Sequence, residues 1–168
     1  MSNLTIRPAT IADCKTLAIL KKEIWETTYR GIYPDEKFDN YDYAKNEEKF
    51  KFFVNSNTQE LYVVTDDENL IAYIEFGEPF RPFKDYTQEI GLFYIKQEYQ
   101  NQGLGRKLFE LALDYIKSTG AKSFFISCHK YNLNAQKFYE KMGGKIVDID
   151  EDSANDGVPQ VKFEYSID

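Results

Sequence analysis

A chain of 168 residues carrying 13 Tyr and 13 Phe can bury roughly 70% of its unfolded surface, so residues 1–168 are read as one domain. A net charge of −7 argues against a nucleic-acid partner, because neutralising phosphates takes clustered Lys and Arg. The longest apolar run, residues 70–74, is too short to span a membrane, no apolar signal region opens the sequence, and two distant cysteines with a single histidine suggest neither a disulfide framework nor a zinc site. These features predict a cytoplasmic, metal-free protein with no membrane partner.

Residues 4–7 read as a first strand that Pro8 ends. Thr10 can cap a helix with Asp13 in its first turn. From 11 to about 29 the apolar positions Cys14, Leu17, Leu20, Ile24 and Trp25 recur at three- and four-residue steps, an amphipathic helical pattern. Gly31 and Pro34 break it. Residues 35–53 read as a second helical region, diluted by Asn40 and the tyrosines. Strands at 60–65 and 70–77 flank Asp66-Asp67-Glu68-Asn69, which has good turn chemistry. Pro79 and Pro82 bracket a loop with Phe80 and Phe83, and a strand follows at 87–95. Leu104, Leu108, Leu111, Ala112 and Tyr115 form one helical stripe that ends before Gly120. A strand at 123–128, a helix at 132–142 and a strand at 144–149 come next. A loop with Asn155-Asp156-Gly157 and Pro159 leads to a last strand at 160–165. The order is β-α-α-β-β-β-α-β-α-β-β.

Between the strand at 87–95 and the next helix stands Gln100-Asn101-Gln102-Gly103-Leu104-Gly105. The first amides of a helix have no partner within it, and the helix dipole puts partial positive charge there. Glycines let a phosphate approach the backbone without a Cβ in the way. A Walker A loop would need Gly-Lys-Ser/Thr, and here Lys107 stands two residues after Gly105 with Leu108 behind it. The dinucleotide fingerprint would need a third glycine where Leu108 stands. The spacing Q-x-x-G-x-G instead resembles the coenzyme A pyrophosphate loop of the GNAT superfamily of N-acetyltransferases. One helix and one strand downstream, Asn132-Leu133-Asn134-Ala135-Gln136-Lys137-Phe138-Tyr139-Glu140-Lys141-Met142-Gly143 looks like the second cofactor-side motif of that superfamily. One departure is Gly144, where the family usually has an aromatic, which puts the packing of the next strand in question.

The resemblance covers the whole chain in element order and implies an α/β (α+β mixed) GNAT fold, a mixed central sheet flanked by helices on both faces. It implies direct transfer of an acetyl group from acetyl-CoA to an amine. The loop residues Gln100, Gln102, Gly103, Leu104, Gly105 and Arg106 would bind the pyrophosphate, with Arg106 and Lys107 adding charge. Phe93, Tyr94 and Ile95 would pair their backbone with the pantetheine arm, and an N–H in this stretch would polarise the thioester carbonyl. Asn132 and Tyr139, two helical turns apart, would share a face. The resemblance assigns Asn132 to the arm and makes Tyr139 the acid that protonates the departing thiolate. The competing reading of Tyr139 is a core aromatic beside Phe138.

An attacking Lys-like amine is only ~0.1% neutral at physiological pH, a deficit of about 4–5 kcal/mol, so a base is valuable. Glu89 is the candidate, because its distance from the glycine loop resembles the placement of the catalytic glutamate in histone-acetylating members of the superfamily; the competing reading is a solvated strand-end glutamate, and Glu75 is the reserve. His129 reads as a loop residue, and Cys128 as a small buried side chain. The acceptor face would draw on Trp25, Tyr29, Tyr33, Glu75, Phe80 and Phe83, with Glu26, Asp35 and Glu78 nearby to suit a cation. The expected acceptor is a small-molecule amine, polyamine-like first, or a peptide amine. A homodimer is left open. The alternative function is a non-catalytic acetyl-CoA-binding sensor on the same fold.

Overall fold

Arg7 closes a bidentate ion pair on Asp13 (2.8 and 3.0 Å), and Asp13 in turn caps the chain at Thr10, accepting from its backbone N–H at 2.7 Å. This arrangement starts the first helix where the sequence predicts it, after a short 3-10 turn at Ile11–Asp13. The computed structural model describes residues 3–151 and 159–167, so the Asn155-Asp156-Gly157 turn lies outside the described residues. The elements in chain order are β1 (Leu4–Pro8), α1 (Cys14–Tyr29), α2 (Glu36–Asp39), α3 (Tyr43–Asn55), β2 (Gln59–Asp66) and β3 (Asn69–Gly77). They continue with β4 (Glu89–Ile95), α4 (Leu104–Ser118), β5 (Ser123–His129), α5 (Leu133–Lys141), β6 (Lys145–Asp150) and β7 (Gln160–Ser166). The strands form one seven-stranded mixed sheet in the order β1-β2-β3-β4-β5-β7-β6, flanked by helices. No described helix is long and apolar enough to cross a membrane.

The helical region expected at 35–53 is two helices. Asn40 ends α2, and the Asp42 side chain accepts from the Lys45 N–H at 2.9 Å, capping α3. Tyr41, caught between them, donates its hydroxyl to the Ala18 carbonyl at 2.7 Å. The predicted four-residue turn tightens to Asp67-Glu68, because β2 and β3 extend through Asp66 and Asn69.

Chain contacts divide the fold into two compact units: Met1–Phe76 with Leu92–Ala112, and Gly77–Gly91 with Leu113–Asp168. In the first, the predicted stripe Cys14, Leu17, Leu20 and Ile24 of α1 packs with Phe50 and Phe53 of α3 and with Leu61, Val63, Leu70 and Tyr73 of the β2–β3 hairpin. Leu92 and Tyr94 of β4 join this core. Side chains alternate along a strand, so Phe93 and Ile95 point to the opposite face.

In the second unit, β5 pairs in parallel with β4 (Glu89 with Phe125, Ile90 with Ile126) and antiparallel with β7. Its run Phe124-Phe125-Ile126 is buried on both faces, as a central strand requires. On one face Phe124 stacks on Tyr165, and Phe163 meets Tyr139 of α5. On the other, the loop after β3 lays Phe83 and Tyr86 against Phe125. Tyr86 also donates its hydroxyl to Glu164.

Gly144 finds its explanation here. The Tyr165 hydroxyl donates to the Tyr139 carbonyl at 2.6 Å, and its ring lies where a side chain at 144 would go. A Cβ on Gly144 would stand 2.8 Å from the Tyr165 Cζ. Gly144→Ala should therefore destabilise the fold by roughly 1–3 kcal/mol through overpacking. An unchanged denaturant midpoint would show that Tyr165 yields freely.

Candidate cofactor and catalytic residues

The glycine loop belongs to the first unit. A 3-10 turn at Gln97–Tyr99 follows β4, and α4 opens at Leu104. Between them Asn101 and Gly103 both take left-handed backbone conformations, with φ of 61° and 84°. Asparagine and glycine are the residues that tolerate this region. The loop is stitched to itself: the Gln100 side chain donates to the Ile95 carbonyl at 2.9 Å, and the Gln102 side chain to the Glu98 carbonyl at 3.0 Å. These two glutamines, expected as cofactor residues, thus act on the loop's own backbone.

The first bond of the α4 ladder runs from the Lys107 N–H to the Gly103 carbonyl at 3.2 Å. The amides of Leu104, Gly105 and Arg106 precede it and are the orphan donors of a helix start. Leu104 is buried and anchors the turn, whereas Arg106 and Lys107 are exposed and can offer charge. A Cβ built on Gly103 would meet no atom within 4 Å, so open space lies beside the backbone there. The arrangement suits a diphosphate. Two bonds tie this segment to the β2–β3 hairpin: the Lys96 N–H to the Ile71 carbonyl (3.0 Å), and the Tyr99 hydroxyl to the Asp66 carboxylate (2.6 Å). Motif spacing singles out neither Tyr99 nor Asp66.

The same unit holds the aromatic side chains expected for the acceptor. Trp25, Tyr29 and Tyr33 form a ladder with ring centroids 5.4 and 5.5 Å apart. Tyr29 is fully buried and packs as core, while Trp25 and Tyr33 are half-buried. Glu26 and Asp35, read as acids for a cationic ligand, are instead engaged by Arg30 at 2.9 and 3.1 Å. Arg30 also stacks over Phe38. Glu75 on β3 is buried at 2% exposure.

The second unit carries Glu89, Asn132 and Tyr139. Glu89 opens β4 and is buried at 8% exposure, which corrects the reading of a solvated strand end. Asn132 is the N-cap of α5 and not a member of its face: its side-chain oxygen accepts from the Ala135 N–H at 3.1 Å. Asparagine is a strong capping residue, and this use of its oxygen is what the local sequence favours. Tyr139 is buried among Phe138 and Phe163. His129 is not in a loop; it is the buried last residue of β5. Phe80 is exposed, whereas Phe83 is committed to Phe125 and Tyr86. Burial pushes the Cys128 thiol up to about 12 and, as the main cause, the Cys14 thiol up to about 11, so neither is a thiolate near neutral pH.

A strand, a left-handed glycine and a helix start whose first amides have no partner within the helix, set in a seven-stranded mixed sheet, make an anion-binding turn on an α/β scaffold. Residues 20–144 match the Acetyltransferase (GNAT) family, and the chain belongs to that family; it is an acetyl-CoA-dependent N-acetyltransferase. It is 28% identical over 167 residues to a spermidine N(1)-acetyltransferase of Thermoplasma acidophilum, covering 96% of this chain and 99% of that one. It is 27% identical over 124 residues to an uncharacterized N-acetyltransferase of Bacillus subtilis, covering 73% and 70%. The crystal structure of a PaiA N-acetyltransferase from T. acidophilum, in complex with coenzyme A, superposes with a TM-score of 0.77 at 24% identity, covering 98% of this chain and 99% of that one.

Gly103→Val would put a branched side chain into the open space beside the loop and strain a left-handed backbone by roughly 1–2 kcal/mol. The protein should stay folded by circular dichroism while coenzyme A affinity falls at least about 10²-fold, because backbone approach is blocked. Wild-type affinity by calorimetry would remove the pyrophosphate from this loop.

Proposed function

We propose that this enzyme acetylates a primary amine of a small polycation, with a polyamine such as spermidine as the first candidate and peptide amines second. The observation that carries this reading is the near full-length similarity to a spermidine N(1)-acetyltransferase. The net charge of −7 supports it, since an acidic surface raises the local concentration of a polycation. Because Arg30 engages Glu26 and Asp35, these two acids are poor candidates to meet such a ligand. Trp25 and Tyr33 would face its cationic or methylene portions.

Acetyl-CoA is the donor. The amides from Gln102 to Arg106 hold its pyrophosphate, with Arg106 and Lys107 supplying charge. The backbone of Phe93, Tyr94 and Ile95 pairs with the pantetheine, and one N–H of that stretch polarises the thioester carbonyl. Glu89 takes the proton of the attacking ammonium, directly or through water. With acetyl-CoA bound, the neutral amine would attack the carbonyl carbon and the C–S bond would break; Tyr139 would give its phenolic proton to the leaving thiolate, and the second proton shed by the acetylated nitrogen would restore the phenol. Asn132 is the residue assigned to the pantetheine arm. No covalent enzyme intermediate is formed.

Four experiments check this reading. Spermidine should turn over faster than neutral-tailed monoamines, with KM rising as salt rises; equal turnover of both, or a salt-independent KM, would contradict a polycationic acceptor. Coenzyme A binding with no thiol release from acetyl-CoA across an amine panel would contradict turnover altogether. Tyr139→Phe should lower kcat by about 10²-fold with coenzyme A affinity kept, and Glu89→Gln should lower kcat/KM most near neutral pH and least at high pH, where the amine loses its own proton. An unaffected kcat would make Tyr139 packing only, and a loss uniform in pH would make Glu89 a binding or structural group.

A further inference from the structure

The segment from Ile95 to Gly103 holds two left-handed residues and two internal side-chain bonds, from Gln100 to the Ile95 carbonyl and from Gln102 to the Glu98 carbonyl. Local bonds of this kind fix the loop's shape but not its position in the fold. Position comes from the β2–β3 hairpin. The Lys96 N–H bond to the Ile71 carbonyl fixes where β4 ends. Three residues on, Tyr99 reaches the last residue of β2 and donates to the Asp66 Oδ2 at 2.6 Å. Asp66 is itself held, since its Oδ1 accepts from the Asn3 N–H at 3.2 Å. Tyr99 stands just before the turn that aims the α4 amides. The carboxylate raises the Tyr99 pKa, so the phenol remains a donor well above neutral pH.

We propose that Tyr99 and Asp66 are a positioning pair for the cofactor: their hydrogen bond pre-orders the glycine loop, so that its loss weakens coenzyme A binding without slowing acetyl transfer. The inference rests on the reading of that loop as the pyrophosphate site. Neither residue touches the cofactor in this scheme. The physical effect is entropic. A loop already held in the bound conformation loses less freedom when the ligand arrives, and a loop released from its anchor must be ordered at the expense of affinity. Both residues are only half-buried, at the edge of the hairpin, so the bond contributes little to global stability.

The test is a double-mutant cycle on Tyr99→Phe and Asp66→Ala in the full chain. Coenzyme A Kd is read by calorimetry, KM for acetyl-CoA and kcat by thiol release, and stability by thermal unfolding. Each single variant should raise Kd and KM about 10-fold, the effect of one hydrogen bond to a charged group. kcat at saturating acetyl-CoA should stay within about twofold. The double variant should bind no more weakly than the weaker single, because both remove the same bond. Unchanged Kd in Tyr99→Phe, in a protein whose wild type binds coenzyme A and whose Gly103→Val variant does not, overturns the positioning role and spares the loop assignment. Additive effects in the cycle, or losses of kcat and affinity that track a lowered melting temperature, also overturn it. A wild type that binds no coenzyme A overturns both.

Discussion

Three amides at the start of α4 have no carbonyl to bond within their own helix, and the chemistry proposed for this protein depends on where they point. Their orientation follows from a short piece of backbone. Asn101 and Gly103 turn the chain through left-handed conformations, Leu104 sinks into the first unit, and the ladder begins at Lys107. A residue other than glycine at 103 would carry a side chain into the open space proposed for a phosphate and resist the φ the turn demands. The rest of the first unit is the support: α1, α3 and the hairpin form a core that also holds Leu92 and Tyr94, and so fixes the strand that feeds the loop.

Charge is arranged around the same unit with a consequence for specificity. Arg30 gathers Glu26 and Asp35 at the end of α1, next to the Trp25, Tyr29 and Tyr33 ladder. Carboxylates already neutralised by a guanidinium attract a cationic ligand weakly. For the polycation proposed as acceptor, electrostatic attraction would therefore come mainly from the diffuse field of a chain with seven more acids than bases, which is the contribution most sensitive to salt.

Much of this was legible in the residues. The three- and four-step recurrence from Cys14 to Ile24 is the buried face of α1, and the glycine spacing marks the turn into α4. Other features depend on a capping bond or a distant partner that the residue pattern does not mark. The break between α2 and α3 follows from Asp42 capping the second helix, where a dilute apolar pattern gave no boundary. Asn132 shares its motif with Tyr139, yet its oxygen serves the helix start. Gly144 departs from the family pattern because Tyr165, more than twenty residues downstream, fills its space. The bond from Tyr99 to Asp66 spans 33 residues, and neither residue carries a sequence signal for it.

Hydrogen exchange read amide by amide, with and without saturating coenzyme A, tests the claim at its centre. Bound pyrophosphate should slow exchange at Leu104, Gly105 and Arg106, the donors that the helix itself leaves unpaired, far more than at the interior amides of α4, which are already bonded. Exchange at those three amides that is unchanged while coenzyme A is bound would contradict the account, since the anion would then be held elsewhere.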